Sequence, residues 1–226
     1  MLILATDTSG AHGSIALAEG TRVEDFRTLQ VVPLTGGTFS AQLVPQIAAL
    51  LAEHGRTKRE IGAFAVVSGP GSFTGLRVGL AAIKALAEVL GKPIAPVSLL
   101  EAVAISGRNQ GEVIAALEAG RGQVYCGHYF IEPASGNVSA RMLSERLMTR
   151  EEFLTGKPDQ VVLTPDPALA VAAHDAGLSV AEIERPRSDA IARLGIHKIL
   201  AGETVAPEAL EANYIRRSDA ELYAKQ

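Results

Sequence analysis

The stretch Ser68-Gly69-Pro70-Gly71-Ser72-Phe73-Thr74-Gly75-Leu76-Arg77-Val78-Gly79 constrains the fold more than any other part of this chain. It follows a short continuous apolar run, Ile61 to Val67, the pattern of a strand buried on both faces. Beyond it, a helical pattern continues to about Leu90 and is closed by Gly91 and Pro93. The joint is therefore a strand-to-helix turn. Gly69, Gly71 and Gly75 allow positive φ or close backbone approach, Pro70 stiffens the loop, and Ser72 or Thr74 caps the helix. Such a turn aims backbone N–H groups at one point and can hold an anion. Its spacing nevertheless fails the familiar ligand loops. The dinucleotide fingerprint needs G-x-G-x-x-G after the first strand, whereas here the spacing is G-x-G-x-x-x-G after a later one. A phosphate-cradling loop needs Gly-Lys-Ser/Thr, and a nucleophile elbow needs G-x-S-x-G, whereas Ser72 is flanked at those positions by Pro70 and Thr74.

Upstream, Leu2 to Ala5 is an apolar run ending at Asp7, and Ser14 to Ala18 reads as its hairpin partner across the Ser9–Gly13 turn. A third strand is expected from Arg22 to Val32, then a helix capped by Ser40 and stopped near His54 by Gly55. The second half begins alike. Glu112 to Ala116 leads to Leu117-Glu118, the Ala119–Gly122 segment turns the chain, and Gln123 to Ile131 returns. A strand near Ala140 to Leu147, a helix capped by Thr149, a strand at Gln160 to Leu163, a helix after Pro167, a short strand near Ser179 and a helix from Ser188 complete the order. Asp7 and Glu118 thus sit at equivalent hairpin mouths of two α/β halves, each of βββαβα type, expected as lobes 1–98 and 99–226. That order used twice is the arrangement of the actin-like ATPase (ribonuclease H-like) fold, which by itself does not fix function.

Charge and cysteine usage narrow the function. A net charge of −4 and a pI near 5.8 do not suit a protein that holds nucleic acid alone, since phosphates call for a basic surface. A single cysteine, Cys126, excludes an internal disulfide and a cysteine-cluster zinc site. No run is long and apolar enough to span a membrane, and the N-terminus does not read as a signal peptide, so a cytoplasmic chain is expected. His12, His54, His128, His174 and His197 form no H-x-x-x-H pair, so no metal site is expected here.

Asp7, with Thr8 and Ser9, has two open readings: it orients an ion or water at a nucleotide phosphate, or it closes the hairpin through an Asx-type turn. Glu118 is read as its counterpart, or as a partner of Arg121.

The string Gly69-Pro70-Gly71-Ser72-Phe73-Thr74-Gly75-Leu76-Arg77 resembles the signature of the TsaB (YeaZ) family, a diverged relative of the TsaD catalytic subunit. Further matches run along the chain: Leu2 to Ser9, Leu43-Val44-Pro45, Val97 to Glu101, Gly122 to Tyr125 and Tyr214-Ile215-Arg216. The resemblance implies a non-catalytic scaffold in threonylcarbamoyl (t6A) modification of adenosine 37 of tRNAs that read codons starting with A. It implies TsaD and the ATPase TsaE as partners, tRNA met through the complex, and no cofactor here, with ATP and metal on the partner subunits.

Two helices fit a binding role, because their polar residues fall on narrow stripes and leave apolar residues for two faces. On the resemblance, Leu43, Ile47, Leu50 and Leu51 of the first and Leu76, Val78, Leu80 and Ile83 of the second are expected to dock onto TsaD, or onto a second copy in a homodimer. The competing class is an independent small ATPase or kinase that uses Asp7 and the Gly69–Gly75 turn. A peptidase has no Ser-His-Asp or metal constellation in its favour.

Overall fold

A computed structural model describes residues 1–107, 109–132, 139–156 and 159–215 of the chain. Arg216 of the terminal motif lies outside the described residues. Two five-stranded mixed sheets with helices give an α/β protein. The first sheet is built from β1 (Leu2–Asp7), β2 (His12–Glu19), β3 (Arg27–Thr35), β4 (Ile61–Gly69) and β5 (Ile94–Ser98), in the order β3-β2-β1-β4-β5. The second is built from β6 (Gly111–Gly120), β7 (Gln123–Glu132), β8 (Ser139–Thr149), β9 (Val161–Thr164) and β10 (Val180–Glu182), in the order β10-β9-β6-β7-β8. In each, the first three strands pair antiparallel and the last two add parallel, so the two halves repeat one topology, the order expected of the actin-like fold.

The helices are α1 (Phe39–Glu53), α2 (Phe73–Leu90), α3 (Leu99–Ser106), α4 (Arg150–Thr155), α5 (Pro167–Asp175) and α6 (Ser188–Leu200). The chain divides into two compact units, one of Met1–Ser98 with Arg187–Asn213, the other built on Leu99–Pro186. The second expected lobe, 99–226, is thus corrected: α6 follows the second repeat in sequence but packs on the first sheet, against β1, β2, β4 and β5.

Within the first unit α1 and α2 also pack on the sheet, and all six residues of β1 are buried, which a strand reaches only with cover on both faces. Gly195 lets α6 lie directly on Ala65, because a Cβ there would strike the alanine methyl. Two local expectations shift. The third strand begins at Arg27 rather than Arg22, because the backbone N–H groups of Thr21 and Arg22 donate to Asp25 Oδ1 at 2.7 and 2.8 Å and fold Gly20–Phe26 into a loop. Pro33 then lies inside β3, where a sheet edge tolerates a missing N–H. Helix α1 starts at Phe39 after Thr38, so Ser40 lies within the helix instead of capping it.

In the second unit, Ile114, Ala116, Val124, Cys126, Phe153, Val162, Leu169, Ala173 and Leu178 form one apolar cluster under α4 and α5. Helix α3 packs on β6 and β7, with Leu100 against the bare Cα of Gly127. Thr149 caps α4 as expected: its hydroxyl accepts from Glu152 N at 3.1 Å, and its N–H donates to Glu152 Oε2 at 2.8 Å. Among the described residues no helix is long and apolar enough to cross a membrane.

Candidate functional site

The signature turn and the first hairpin mouth meet within the first unit. Asp7 is buried at 3% exposure, and its Oδ1 accepts both the backbone N–H of Ser9 at 2.8 Å and the Ser9 hydroxyl at 2.6 Å. That is the Asx-type turn, formed by the residue type that favours it. The next residue, Thr8, donates its hydroxyl to Gly75 O at 2.7 Å, and Ser9 O accepts the backbone N–H of Ser72 at 2.7 Å. Two consecutive residues of one hairpin, Thr8 and Ser9, thus hold the start of α2, with Asp7 fixing Ser9.

Glycine makes this approach feasible. A Cβ on Gly71 would strike Ser9 O, one on Gly75 would strike Thr8 O, and one on Gly79 would strike Thr8 Oγ1. The three glycines recur every four residues, the period that lines up one helix face. On the hairpin side, Gly13 lies against Asp7 O and the Phe39 ring, where a Cβ would sit 2.6 and 2.9 Å away. Gly69 has φ 141° and precedes a cis peptide to Pro70. Ser72 is the N-cap, its hydroxyl accepting from Gly75 N at 3.2 Å, while Leu76 N donates to Ser72 O at 2.8 Å.

Several of the turn's polar groups are therefore engaged in packing. Its N–H groups at Ser72, Gly75 and Leu76 already have acceptors within the chain. Thr74 is exposed, and Arg77 stacks its guanidinium 3.7 Å from the centre of the Phe73 ring, itself 37% exposed. The residue that spacing alone could have added to the site is Gly79, through the four-residue glycine period.

Glu118, the expected counterpart of Asp7, has a different environment. It is exposed, its carboxylate pairs with Arg150 at 3.0 Å rather than with Arg121, and its N–H donates to Asp166 Oδ2 at 2.6 Å. Among the described residues no group of three His, Cys, Asp or Glu side chains could hold a metal ion.

The eight apolar residues expected to face a partner are differently disposed. Leu43, Ile47, Leu50, Leu51, Leu76, Leu80 and Ile83 are buried in the chain's own core, and Val78 is half-buried. The sheet beneath and the contact between α1 and α2 account for that cover. What α1 and α2 leave open is a set of smaller side chains, among them Val44, Ala48, Ala81 and Ala85, with Val89 at 76% exposure.

A separate cleft of about 520 Å³ opens at the other end of β1, lined by Met1, Leu2, Glu19, Gly20, Thr21, Asp25, Arg27, Arg56 and Glu60. Its charges satisfy one another. Glu19 takes Arg27 and Arg56, the latter at 3.3 Å, and Arg56 also reaches Glu60 at 3.2 Å. The Arg27 hydrogen bond holds the Glu19 carboxyl below its usual range.

Comparison with known proteins gives this arrangement its context. Residues 31–162, more than half of the chain, match the family model described as TsaD: tRNA N6-adenosine threonylcarbamoyltransferase. The tRNA threonylcarbamoyladenosine biosynthesis protein TsaB of Bacillus subtilis is 28% identical over 98% of this chain and 96% of its own. The protein of that name from Escherichia coli is 29% identical over 96% of each. The solved structure of YeaZ from Pseudomonas aeruginosa superposes with a TM-score of 0.74 at 24% identity, over 94% of this chain and 99% of its own, and so shares the fold. The chain belongs to the threonylcarbamoyltransferase family, in its TsaB (YeaZ) branch.

Proposed function

We propose that this TsaB-family chain is an accessory subunit of tRNA threonylcarbamoyladenosine biosynthesis. In this reading it contributes no catalytic residue. It binds the TsaD catalytic subunit through α1 and α2, and the pair recruits TsaE, with tRNA, ATP and metal held by the partners. The observation that carries the scaffold reading is the closure of the glycine turn on the hairpin: Thr8 donates its hydroxyl to Gly75 O, Ser9 O accepts from Ser72 N, and the Ser72 hydroxyl accepts from Gly75 N. A rigid joint of this kind fixes where α2 starts, which a docking helix requires. The open positions of α1 and α2 include Val44, Ala48, Ala81, Ala85 and Val89, all small or apolar, so another protein's helices could approach closely there. A second copy of the chain could use the same face when the partner is missing. Because the pathway acts on tRNA, the cytoplasm is the proposed compartment.

Surface variants test the reading. Val44→Glu and Ala81→Glu should each abolish co-purification with TsaD and leave the thermal unfolding of the isolated chain unchanged. Retention of TsaD by both variants would sink this docking face. Calorimetry of the isolated chain with ATP and magnesium addresses the competing class: turnover that disappears in Asp7→Ala would support an independent ATPase.

A further inference from the structure

After α6 the chain does not leave the first unit but runs back over it. Glu203 N donates to Lys198 O at 2.8 Å. Val205 then pairs with Ile94 in a single antiparallel bridge on β5, through bonds of 2.8 and 3.2 Å. The 3-10 turn Pro207–Ala209 lies against α2, where Lys84 Nζ donates to Glu208 O at 3.2 Å. Leu210 is buried at 5% exposure. Asn213 N finally donates to Ser68 O at 2.7 Å, and Asn213 O lies so near Gly69 that a Cβ there would be only 2.5 Å away. The segment therefore spans from β5 along α2 to the residues that open the signature turn.

We infer that Val205–Asn213 is a strap that sets the position of α2 and its N-terminal turn, so that strap seating and partner docking are coupled. Two holds on one helix are involved. The hairpin holds the first turn of α2 through Thr8 and Ser9, and the strap holds the helix flank at Lys84 and the strand end at Ser68. The hairpin side belongs to two paired strands of a buried sheet, whereas the strap meets the unit through a single β-bridge, bonds at Lys84 and Ser68, and the buried Leu210. Of the two, the strap is the part that can open without unfolding the sheet. If α2 docks productively only with the strap seated, an unseated population lowers apparent affinity by its fraction, and the partner in turn favours the seated state.

The coupling rests on the proposed docking to TsaD, but the strap's hold on α2 does not, and the two are read separately. In the full chain, Leu210→Ala empties the buried anchor, and Val205→Pro removes the N–H that bonds Ile94 O. Hydrogen exchange of the isolated variants reads the strap itself: the Gly75 and Leu76 amides should exchange about tenfold faster or more, while β1 amides keep their protection. Titration with TsaD reads the coupling: affinity should fall by about tenfold in both folded variants. Unchanged exchange at Gly75 and Leu76 in both variants would overturn the strap's role. Faster exchange with unchanged affinity would overturn the coupling alone. Failure of the unaltered chain to bind TsaD would overturn the docking face and with it the coupling, while the exchange result would still decide the strap.

Discussion

Ser188 and Ser14, 174 positions apart, hold the start of α6 to the middle of the first sheet. Ser188 N donates to Ser14 Oγ at 2.9 Å, Ser188 Oγ donates to Ser14 O at 2.6 Å, and the two hydroxyls lie 2.8 Å apart. Both residues are buried, at 0% and 4% exposure. This small polar lock is how a helix that follows the second repeat is anchored on the first sheet.

Removing the acceptor should hurt more than removing the donor's hydroxyl. Ser14→Ala leaves the buried Ser188 N–H without its side-chain acceptor and should cost about 1–3 kcal/mol, whereas Ser188→Ala keeps that bond and should cost about 1 kcal/mol. Urea unfolding at constant slope measures both. Equal and negligible shifts of the midpoint would show that α6 is held by apolar packing alone.

The glycines facing the hairpin should differ in whether they can be rescued. Gly79→Ala meets the side chain of Thr8, so the cost of about 1–3 kcal/mol should shrink when combined with Thr8→Ala. Gly75→Ala meets the Thr8 backbone carbonyl, which no side-chain change removes, and should stay destabilised in the same background. Two double-mutant cycles, pairing Thr8→Ala with Gly79→Ala and with Gly75→Ala, give the comparison directly.

Thr6 is fully buried in β1, and its hydroxyl has no hydrogen-bond partner in the structure. Thr6→Val keeps the shape and removes a desolvated polar group, so it should raise stability by about 1 kcal/mol. A lowered melting temperature in this variant would mean that the hydroxyl is satisfied in solution.

Acid should loosen the Gly20–Phe26 loop in a defined window. The Thr21 hydroxyl and the Arg22 and Thr21 amides hold the Asp25 carboxyl down to about 2, from an ordinary 3.8. A carboxyl depressed in the folded state adds stability that is complete above pH 3.8 and lost as pH falls toward 2. The stability difference between the unaltered chain and Asp25→Asn should therefore be constant near neutrality and shrink across that window. His197, depressed by burial and then by Arg193, adds a separate loss that begins as pH falls below 6.5. Urea midpoints measured from pH 2 to 8 resolve the two.

Much of this was legible in the residues. Apolar runs ending at glycine or an acid marked β1, β4 and β6, a cap and a stop marked the ends of α2, and a cap marked the start of α4. Strand β5 and helix α3 carry no such marks, because Pro96 interrupts a five-residue strand and α3 is a short helix entered directly from it. The large apolar residues expected at a docking face lie in the core for a different reason. Hydrophobicity singles out leucine and isoleucine, but those large side chains are the ones a sheet buries first, and the alanines and Val44 between them are what stays open.

By itself the sequence determined the two repeats, the strand-to-helix turn and the failure of that turn to match a ligand loop, because each depends on local spacing and on backbone freedom at glycine. Tertiary structure alone decided where the turn's N–H groups go, which face of α1 and α2 remains exposed, and that α6 and the strap belong to the first unit. Those outcomes depend on contacts between residues far apart in sequence, Ser14 with Ser188, Thr8 with Gly75 and Ser68 with Asn213, and no periodicity along the chain encodes such pairings.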